Sequence, residues 1–292
     1  MYYLFAHISL LLTHGLDFSI RYPSVICGVL LIPTAYWLGR EYHSELVGLY
    51  CAGITTILLP LIYYSQYARA YEMSVLFFTI ALILYIRLKR GDNHLDTRAA
   101  FWAMVVINVW THLFVVIPLG ILCLDLLLDH KHWFGGIMAG FCCLPLVSML
   151  ISVWNTRNGA GFGYGASVLQ MLVLIPLEFF NSLCVNIFFL AGVGWWMNKD
   201  KLKIPLTICT VVTLIVGVLV SVVTPVFPRY LMSVSMIILL GASVGIVSLG
   251  DLLNKKVGKN LDYIVMILVF LVFVWMEWSN FMSHYFIMQY SC

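Results

Sequence analysis

Residues 60 to 73 read Pro60-Leu61-Ile62-Tyr63-Tyr64-Ser65-Gln66-Tyr67-Ala68-Arg69-Ala70-Tyr71-Glu72-Met73. Long apolar runs flank them, Leu46 to Leu59 on one side and Ser74 to Ile86 on the other. Four tyrosines, a glutamine, an arginine and a glutamate lie between. An arginine inside a bilayer is costly unless it faces water, a cavity or a partner. Arg69 is therefore expected at a membrane surface or on the wall of a polar site beside one. That reading decides the fold, because it turns the flanking runs into membrane spans.

Composition points the same way. Hydrophobic residues make up 62% of the chain and charged residues 10%, against about 25% charged in soluble domains. The mean hydropathy is +0.99. The expected fold class is all-α, a polytopic integral membrane protein of about nine or ten membrane helices plus interfacial helices. No repeat and no separate soluble domain is visible, so residues 1–292 are expected to form a single membrane domain. The eight cysteines show no CxxC pair. Cys27, Cys51, Cys123, Cys142, Cys143 and Cys209 fall in apolar runs and read as small core residues. Neither disulfides nor a metal site is expected. Met1 to Leu12 lacks a basic leader and a small-residue cleavage site, so no cleavable secretion signal is expected.

In order, residues 1–17 are expected as an interfacial helix and residues 18–282 as the membrane helices. Met1 to His14 is too short for the roughly 20 residues a span needs. Spans are expected at Ile20 to Leu38, Leu46 to Tyr64 and Tyr71 to Ile86. Ala99 to Leu128 is too long for one upright span, and Asn108, Thr111 and His112 interrupt it. It reads as a broken pair turning near His112. Trp133 to Val153 follows, then a glycine-rich outer loop over 155–165. Leu169 to Phe180 reads as interfacial, with Glu178 on its polar side. The remaining spans are Val185 to Met197, Pro205 to Val223, Leu231 to Leu249 and Leu261 to Trp278.

This alternation sorts the basic residues. Arg40, Arg87, Lys89, Arg90, Arg98, Lys131, Lys199, Lys201, Lys203, Lys255, Lys256 and Lys259 fall on one face. Only Arg21, Arg69, Arg157 and Arg229 fall on the other. Lysine and arginine near span ends favour the cytoplasmic side, so the four arginines face away from it. Guanidinium offers a fixed fork of donors suited to phosphate. Arg69 and Arg229, flanked by tyrosine or proline, are read as holding an anion. Arg157, in its loop, is read as snorkelling to headgroups.

Other residues carry two readings each. Glu72 lies three positions after Arg69, where a helix would make them an ion pair; a role as base is the alternative. His112 either bonds a backbone carbonyl freed by the broken span or meets a ligand. Tyr63, Tyr64, Tyr67 and Tyr71 fit an interfacial aromatic belt. Gln66 bonds a ligand or only an adjacent helix end. Asp125 reads as structural, near Lys131, and Trp195 and Trp196 as interface anchors.

Several of these pieces resemble one family. Tyr-Ser-Gln-x-Ala-Arg-x-Tyr, at Tyr64 to Tyr71, resembles a motif of membrane glycosyltransferases of the GT-C superfamily. These are relatives of the dolichyl-phosphate-mannose protein mannosyltransferases and the lipid A aminoarabinose transferases. Arg-Tyr-Pro-Ser at Arg21 to Ser24, Leu38-Gly39-Arg40, Thr111-His112-Leu113-Phe114 and Phe227-Pro228-Arg229-Tyr230-Leu231 resemble further family segments, in the same order. The resemblance covers roughly Met1 to Leu249.

The resemblance implies transfer of a sugar from a polyprenyl-phosphate sugar donor to a protein, lipid or glycan acceptor, on the non-cytoplasmic face. No cofactor, no metal and no nucleic-acid partner is implied. Arg69, Arg229 and Arg21 would hold the lipid phosphate, and Tyr64, Gln66, Tyr71, His112 and Tyr230 would line the cavity. The family's catalytic carboxylate sits in an outer loop after a first span, ahead of a His-Pro-Pro-Leu-Tyr-Tyr stretch. Here Met1-Tyr2-Tyr3-Leu4 matches only the end of that stretch. The expectation is a late start, a fragment or a non-catalytic protein. The carboxylates left to weigh as base are Asp17, which also reads as a helix cap, and Glu72. The alternative functions are a non-catalytic lipid-phosphate-binding protein of the same fold and, ranked last, a transporter, since no two related halves are visible.

Overall fold

The computed structural model describes residues 2–12, 18–159, 168–180, 183–223, 228–257, 267–269, 271–276 and 278. Among them the regular structure is helical, with no strand. Four helical segments are long and apolar enough to cross a membrane: Ser19–Tyr42, Tyr71–Lys89, Lys203–Ser221 and Pro228–Lys255. A fifth crossing is the bent pair Glu45–Ile57 and Leu59–Ser65. Shorter apolar helices, among them Leu113–Leu127 and Cys184–Met197, accompany them. This is consistent with a polytopic membrane protein, with four or five full-length spans among the described residues against the nine or ten expected for the whole chain.

The helices are α1 (Tyr2–Leu12), α2 (Tyr22–Tyr42), α3 (Glu45–Ile57), α4 (Leu59–Ser65), α5 (Tyr71–Lys89) and α6 (Leu95–Thr111). They continue as α7 (Val116–Leu127), α8 (Trp133–Gly159), α9 (Val168–Phe180), α10 (Cys184–Met197), α11 (Lys203–Val223) and α12 (Ser235–Val257). A 3-10 turn, Pro228–Val234, leads into α12.

Local chemistry sets the boundaries. Ser44 caps α3 by accepting the Val47 N–H at 3.3 Å, and Glu45 sits in the first turn, where a carboxylate suits the helix dipole. Pro60 has no N–H to continue α3. The helix therefore breaks at extended Leu58 and resumes as α4 after a 63° bend. The Leu46 to Tyr64 span is thus two short helices, not one. At the far end of α5 the chain turns through Gly91 at φ +97°, a conformation that favours glycine. The Gly91 and Asp92 amides donate back to Leu88 and Arg87.

The interruption at His112 is a real turn. α6 ends at Thr111, His112 is extended, and a 3-10 turn over Leu113–Val115 starts α7. α7 then returns to where α6 began. His112 lies beside Tyr71 at the start of α5, ring centroids 5.6 Å apart. Asp125, near the end of α7, reaches Lys89 at the end of α5, 2.8 Å away.

The expected loop over 155–165 starts later than expected. α8 continues to Gly159, because the first breaker in Asn155-Thr156-Arg157-Asn158-Gly159 is its glycine. Residues 160–165 lie outside the described set, as do Asp17 and much of the expected last span, within which Ile267–Met276 is helical.

Small residues bring the helices together. α10 packs along α12, where Gly194 meets the backbone at Gly241 and Gly245. Gly241 and Gly245 are spaced as in the small-xxx-small pattern that lets membrane helices approach closely. Gly39 and Gly48 do the same between α2 and α3. Cys51 donates to Ser243 Oγ at 3.3 Å and helps hold α3 on α12.

The two ends of the bundle differ in charge chemistry. Arg40–Glu45, Arg87–Glu41, Lys89–Asp125, Arg90–Asp200 and Lys131–Asp129 all gather where α2, α5 and α7 end and α8 and α11 begin. Tyr42 accepts from Asn198 at 2.7 Å in the same region. Asp125 is structural, as expected, but through Lys89 and the Tyr85 hydroxyl (2.6 Å) rather than Lys131. The described cysteines carry free thiols.

Candidate functional site

The site lies at the end away from those ion pairs and is built on the segment between α4 and α5. Gln66 caps α4, and residues 67–70 bend before Tyr71 opens α5. Ser24, in the first turn of α2 and fully buried, latches this bend. Its hydroxyl lies 2.7 Å from the Tyr67 carbonyl and 3.1 Å from the Arg69 carbonyl. Beneath the latch, Gly28 leaves room for Ser65: a Cβ there would sit 2.6 Å from Ser65 Cβ. The Arg-Tyr-Pro-Ser and Tyr-Ser-Gln segments, 45 residues apart at Ser24 and Arg69, therefore form one unit. From the other side Tyr2 donates to the Ile20 carbonyl at 2.6 Å, tying α1 to the same corner.

This corner surrounds an open hollow of about 660 Å³. Arg21, Gln66 and Arg69 supply its polar wall, with Tyr3, Tyr63 and Tyr67 around them. No carboxylate lies within ion-pair reach of Arg21 or Arg69 among the described residues. Among the described residues the hollow thus presents guanidinium and amide donors with no paired carboxylate, which suits a phosphate.

An aromatic cluster stands next to it. Tyr71 packs on Tyr64 (5.4 Å between centroids), on His112 (5.6 Å) and on Tyr230 (6.1 Å, nearly parallel). Tyr230 also meets His112 at 5.6 Å and stacks on Phe114 at 5.1 Å. Arg229 lies over the Tyr71 ring at 6.0 Å, at the edge of cation–π range. The charges of both Arg69 and Arg229 bear on the Tyr71 hydroxyl. Tyr71 therefore bridges the two arginines: Arg69 faces the hollow, and Arg229 sits on the cluster side. His112 is packed among rings rather than bonded to a freed carbonyl. Tyr64 is buried against Tyr71 and does not line the hollow.

Glu72 departs from expectation. It makes no ion pair with Arg69, because α5 begins at Tyr71 and Arg69 precedes the helix; the three-residue helical spacing does not apply. Its carboxylate points into the protein beside Gly28, is 1% exposed and has no hydrogen-bond partner on either oxygen. It has no path to the hollow as it stands. The side chains of Arg157 and Glu178 lie outside the described set.

A polar layer escaped the sequence reading. Ser74 donates to Asn108 Oδ1 at 2.9 Å and lies 3.3 Å from Ser233 Oγ, joining α5, α6 and the turn before α12. Asn108 had marked itself as a polar residue inside an apolar run; nothing in the sequence named its partners.

No protein-family model matches the chain, and no curated protein matches it. The functional reading therefore rests on the motifs and on this geometry.

Proposed function

We propose that this chain is a membrane glycosyltransferase of the GT-C type. It moves a sugar from a polyprenyl-phosphate donor to an acceptor hydroxyl. Its active end is the non-cytoplasmic one, opposite the lysine-rich end, as the positive-inside rule assigns. On this reading the short helices also span as broken or tilted segments, bringing the total to nine or ten.

One observation carries the proposal: Arg21 and Arg69, from segments far apart in the chain, line one hollow, and no carboxylate among the described residues pairs with either. The donor phosphate supplies that negative charge. Arg229, held on the far side of Tyr71, adds to the field as the sugar–phosphate bond breaks and charge grows on the leaving phosphate. Gln66 holds a sugar hydroxyl, and Tyr71, with His112 and Tyr230 packed on it, stands between the hollow and Arg229. The base that takes the acceptor proton is Asp17 or a carboxylate beyond the described residues, since Glu72 is sealed away.

The test uses purified protein in nanodiscs. Polyprenyl phosphate binding is measured by thermophoresis for wild type, Arg69→Ala and Arg21→Ala. A charge-assisted bond is worth about 1.5–3 kcal/mol, so each variant should bind roughly tenfold to a hundredfold more weakly. Unchanged binding in Arg69→Ala would end the proposal. Transfer from radiolabelled polyprenyl-phosphate mannose to endogenous acceptors is measured in parallel. The sealed position of Glu72 favours a second reading, a lipid-phosphate-binding protein without catalysis; binding without transfer from any polyprenyl-phosphate sugar selects it.

A further inference from the structure

A second hollow lies at the other end of the bundle, between α6 and α8. Gly135 allows it: the Trp102 indole occupies the space where a side chain on that residue would stand. Two bonds pin the helices at different depths. Arg98 Nη1 donates to the Lys131 carbonyl at 3.2 Å, and Trp110 Nε1 donates to the Cys142 carbonyl at 3.1 Å. Between the pins runs an open groove of about 330 Å³, floored by Trp102 and walled by Leu95, Val106, Phe134 and Met138. Phe134 and Leu95 are 78% and 72% exposed.

The groove has the dimensions of half a bilayer. It starts at Lys131, in the turn before α8, and runs along α8 as far as Cys142; the nine residue steps from Trp133 to Cys142 rise roughly 14 Å in a helix. Half of the hydrocarbon core is about 15 Å. Its charge sits at one end only. Arg98 and Lys131 stand at the mouth, and every other lining residue is uncharged. The Arg98 Nε atom is buried with no partner, and no carboxylate pairs with Arg98 among the described residues. Lys131 reaches Asp129 only at 4.0 Å. The mouth lies beside His130–His132 and the start of α6, at the lysine-rich end of the bundle.

We infer that this groove binds one anionic glycerophospholipid of the leaflet at that end. Its phosphate sits between Arg98 and Lys131, and one acyl chain lies along Trp102 toward Cys142. The unpartnered Nε and the one-ended charge call for a headgroup, and the apolar length below them calls for a chain. A second copy of the protein fits poorly, since a symmetric contact through this face would set each copy's Arg98 and Lys131 against the other's. This site does not depend on the sugar-transfer reading.

Native mass spectrometry of the full-length protein, delipidated in detergent and titrated with phosphatidylglycerol or phosphatidylcholine of identical chains, tests it. Wild type should retain one phosphatidylglycerol with a preference of roughly tenfold over phosphatidylcholine, from two basic groups at the headgroup. Lys131→Gln, which keeps the Arg98 bond to the Lys131 carbonyl, should weaken the preference, and Arg98→Gln with Lys131→Gln should abolish it, with phosphatidylcholine retention reporting whether the groove survives the loss of that bond. Ala103→Trp, which fills the groove from its open side, should remove both lipids while leaving the charges in place. Equal retention of the two lipids by wild type overturns the inference. So does an undiminished preference in the double glutamine variant, or a dimer that excludes phosphatidylglycerol from the groove. The wild-type comparison and the glutamine variant decide the matter even if Ala103→Trp does not fold.

Discussion

Gly28→Ala tests whether the corner that carries Arg69 is built as described. The new Cβ would stand 2.6 Å from Ser65 Cβ, whereas ordinary contact is 3.4–4 Å. Ser65 Cβ is one bond from its backbone, so no rotamer change relieves the clash. Either α2 or the end of α4 must move by roughly 1 Å, and overpacking of this kind costs about 1–3 kcal/mol. α4 is the softer partner: it has seven residues and is anchored by no cap side chain at its start. The displacement therefore passes into Gln66 and Arg69, which line the hollow. A shift near 1 Å in groups that grip a ligand should weaken polyprenyl phosphate binding about tenfold or more. The compensating change is Ser65→Gly, which removes the opposing Cβ and loses the Ser65 hydroxyl bond to the Ile62 carbonyl (2.7 Å). A double-mutant cycle on thermal stability and on affinity isolates the steric term. Gly28→Ala should be harmful alone and largely relieved by Ser65→Gly. A neutral Gly28→Ala, or damage that Ser65→Gly leaves untouched, would refute the close packing of α2 on α4 and the coupling to the site.

Three further outcomes follow from individual contacts. Ser24→Ala removes the latch on the Tyr67 and Arg69 carbonyls; one hydroxyl shared between two acceptors is worth about 1 kcal/mol in a membrane protein. Affinity for polyprenyl phosphate should fall about fivefold, with Ser24→Thr falling less. Asp125→Asn breaks the Lys89 ion pair but keeps an acceptor for Tyr85; it should lower thermal stability by about 1–2 kcal/mol and leave that affinity unchanged, because it lies at the opposite end. His132 sits in the turn between α7 and α8, 3% exposed with Nδ1 unpartnered, and burial pushes its pKa below the usual histidine value. The folded state thus holds the proton less tightly than the unfolded chain. Stability from this group is complete above about pH 6.5 and falls as pH drops below it. Thermal unfolding scanned from pH 7.5 to 5.5 should show that loss, and His132→Gln should flatten it.

Much of this architecture was legible in the sequence because membrane helices announce themselves. The boundaries of α5 and α11 follow from apolar length, and the turn at His112 from an apolar run too long for one crossing. What escaped was whatever depended on a precise break. Pro60 looked like the edge of a motif, yet its missing N–H divides a span and sets the 63° bend. The same local detail misled the reading of Glu72. Helical spacing pairs it with Arg69 only if the helix already includes Arg69, and the helix begins two residues later. Periodicity finds the spans but not their first turns, and this corner is built on what happens there: Ser24 in the first turn of α2, Tyr71 at the start of α5, and Arg229 in the turn ahead of α12.

The described carboxylates are distributed unevenly between the two ends of the bundle. The chain has 13 acidic residues against 16 lysines and arginines. At the lysine-rich end Glu41, Glu45, Asp125, Asp129 and Asp200 each approach a cation. At the other end, the described carboxylate nearest the arginines is Glu72, turned inward against α2. A guanidinium beside a low-dielectric wall without a counter-ion is unfavourable unless water or a ligand compensates it. The hollow around Arg21 and Arg69 is open, so water serves when it is empty; on the proposed function a phosphate displaces that water at a gain. Adding a carboxylate there would satisfy Arg69 internally and remove the reason to bind. Gln66→Glu makes that change on the wall of the hollow itself. It should stabilise the empty protein and weaken polyprenyl phosphate binding together. Tighter binding in Gln66→Glu, or a loss of stability, would mean that Arg69 already has its counter-charge from elsewhere and that the hollow is not an anion site.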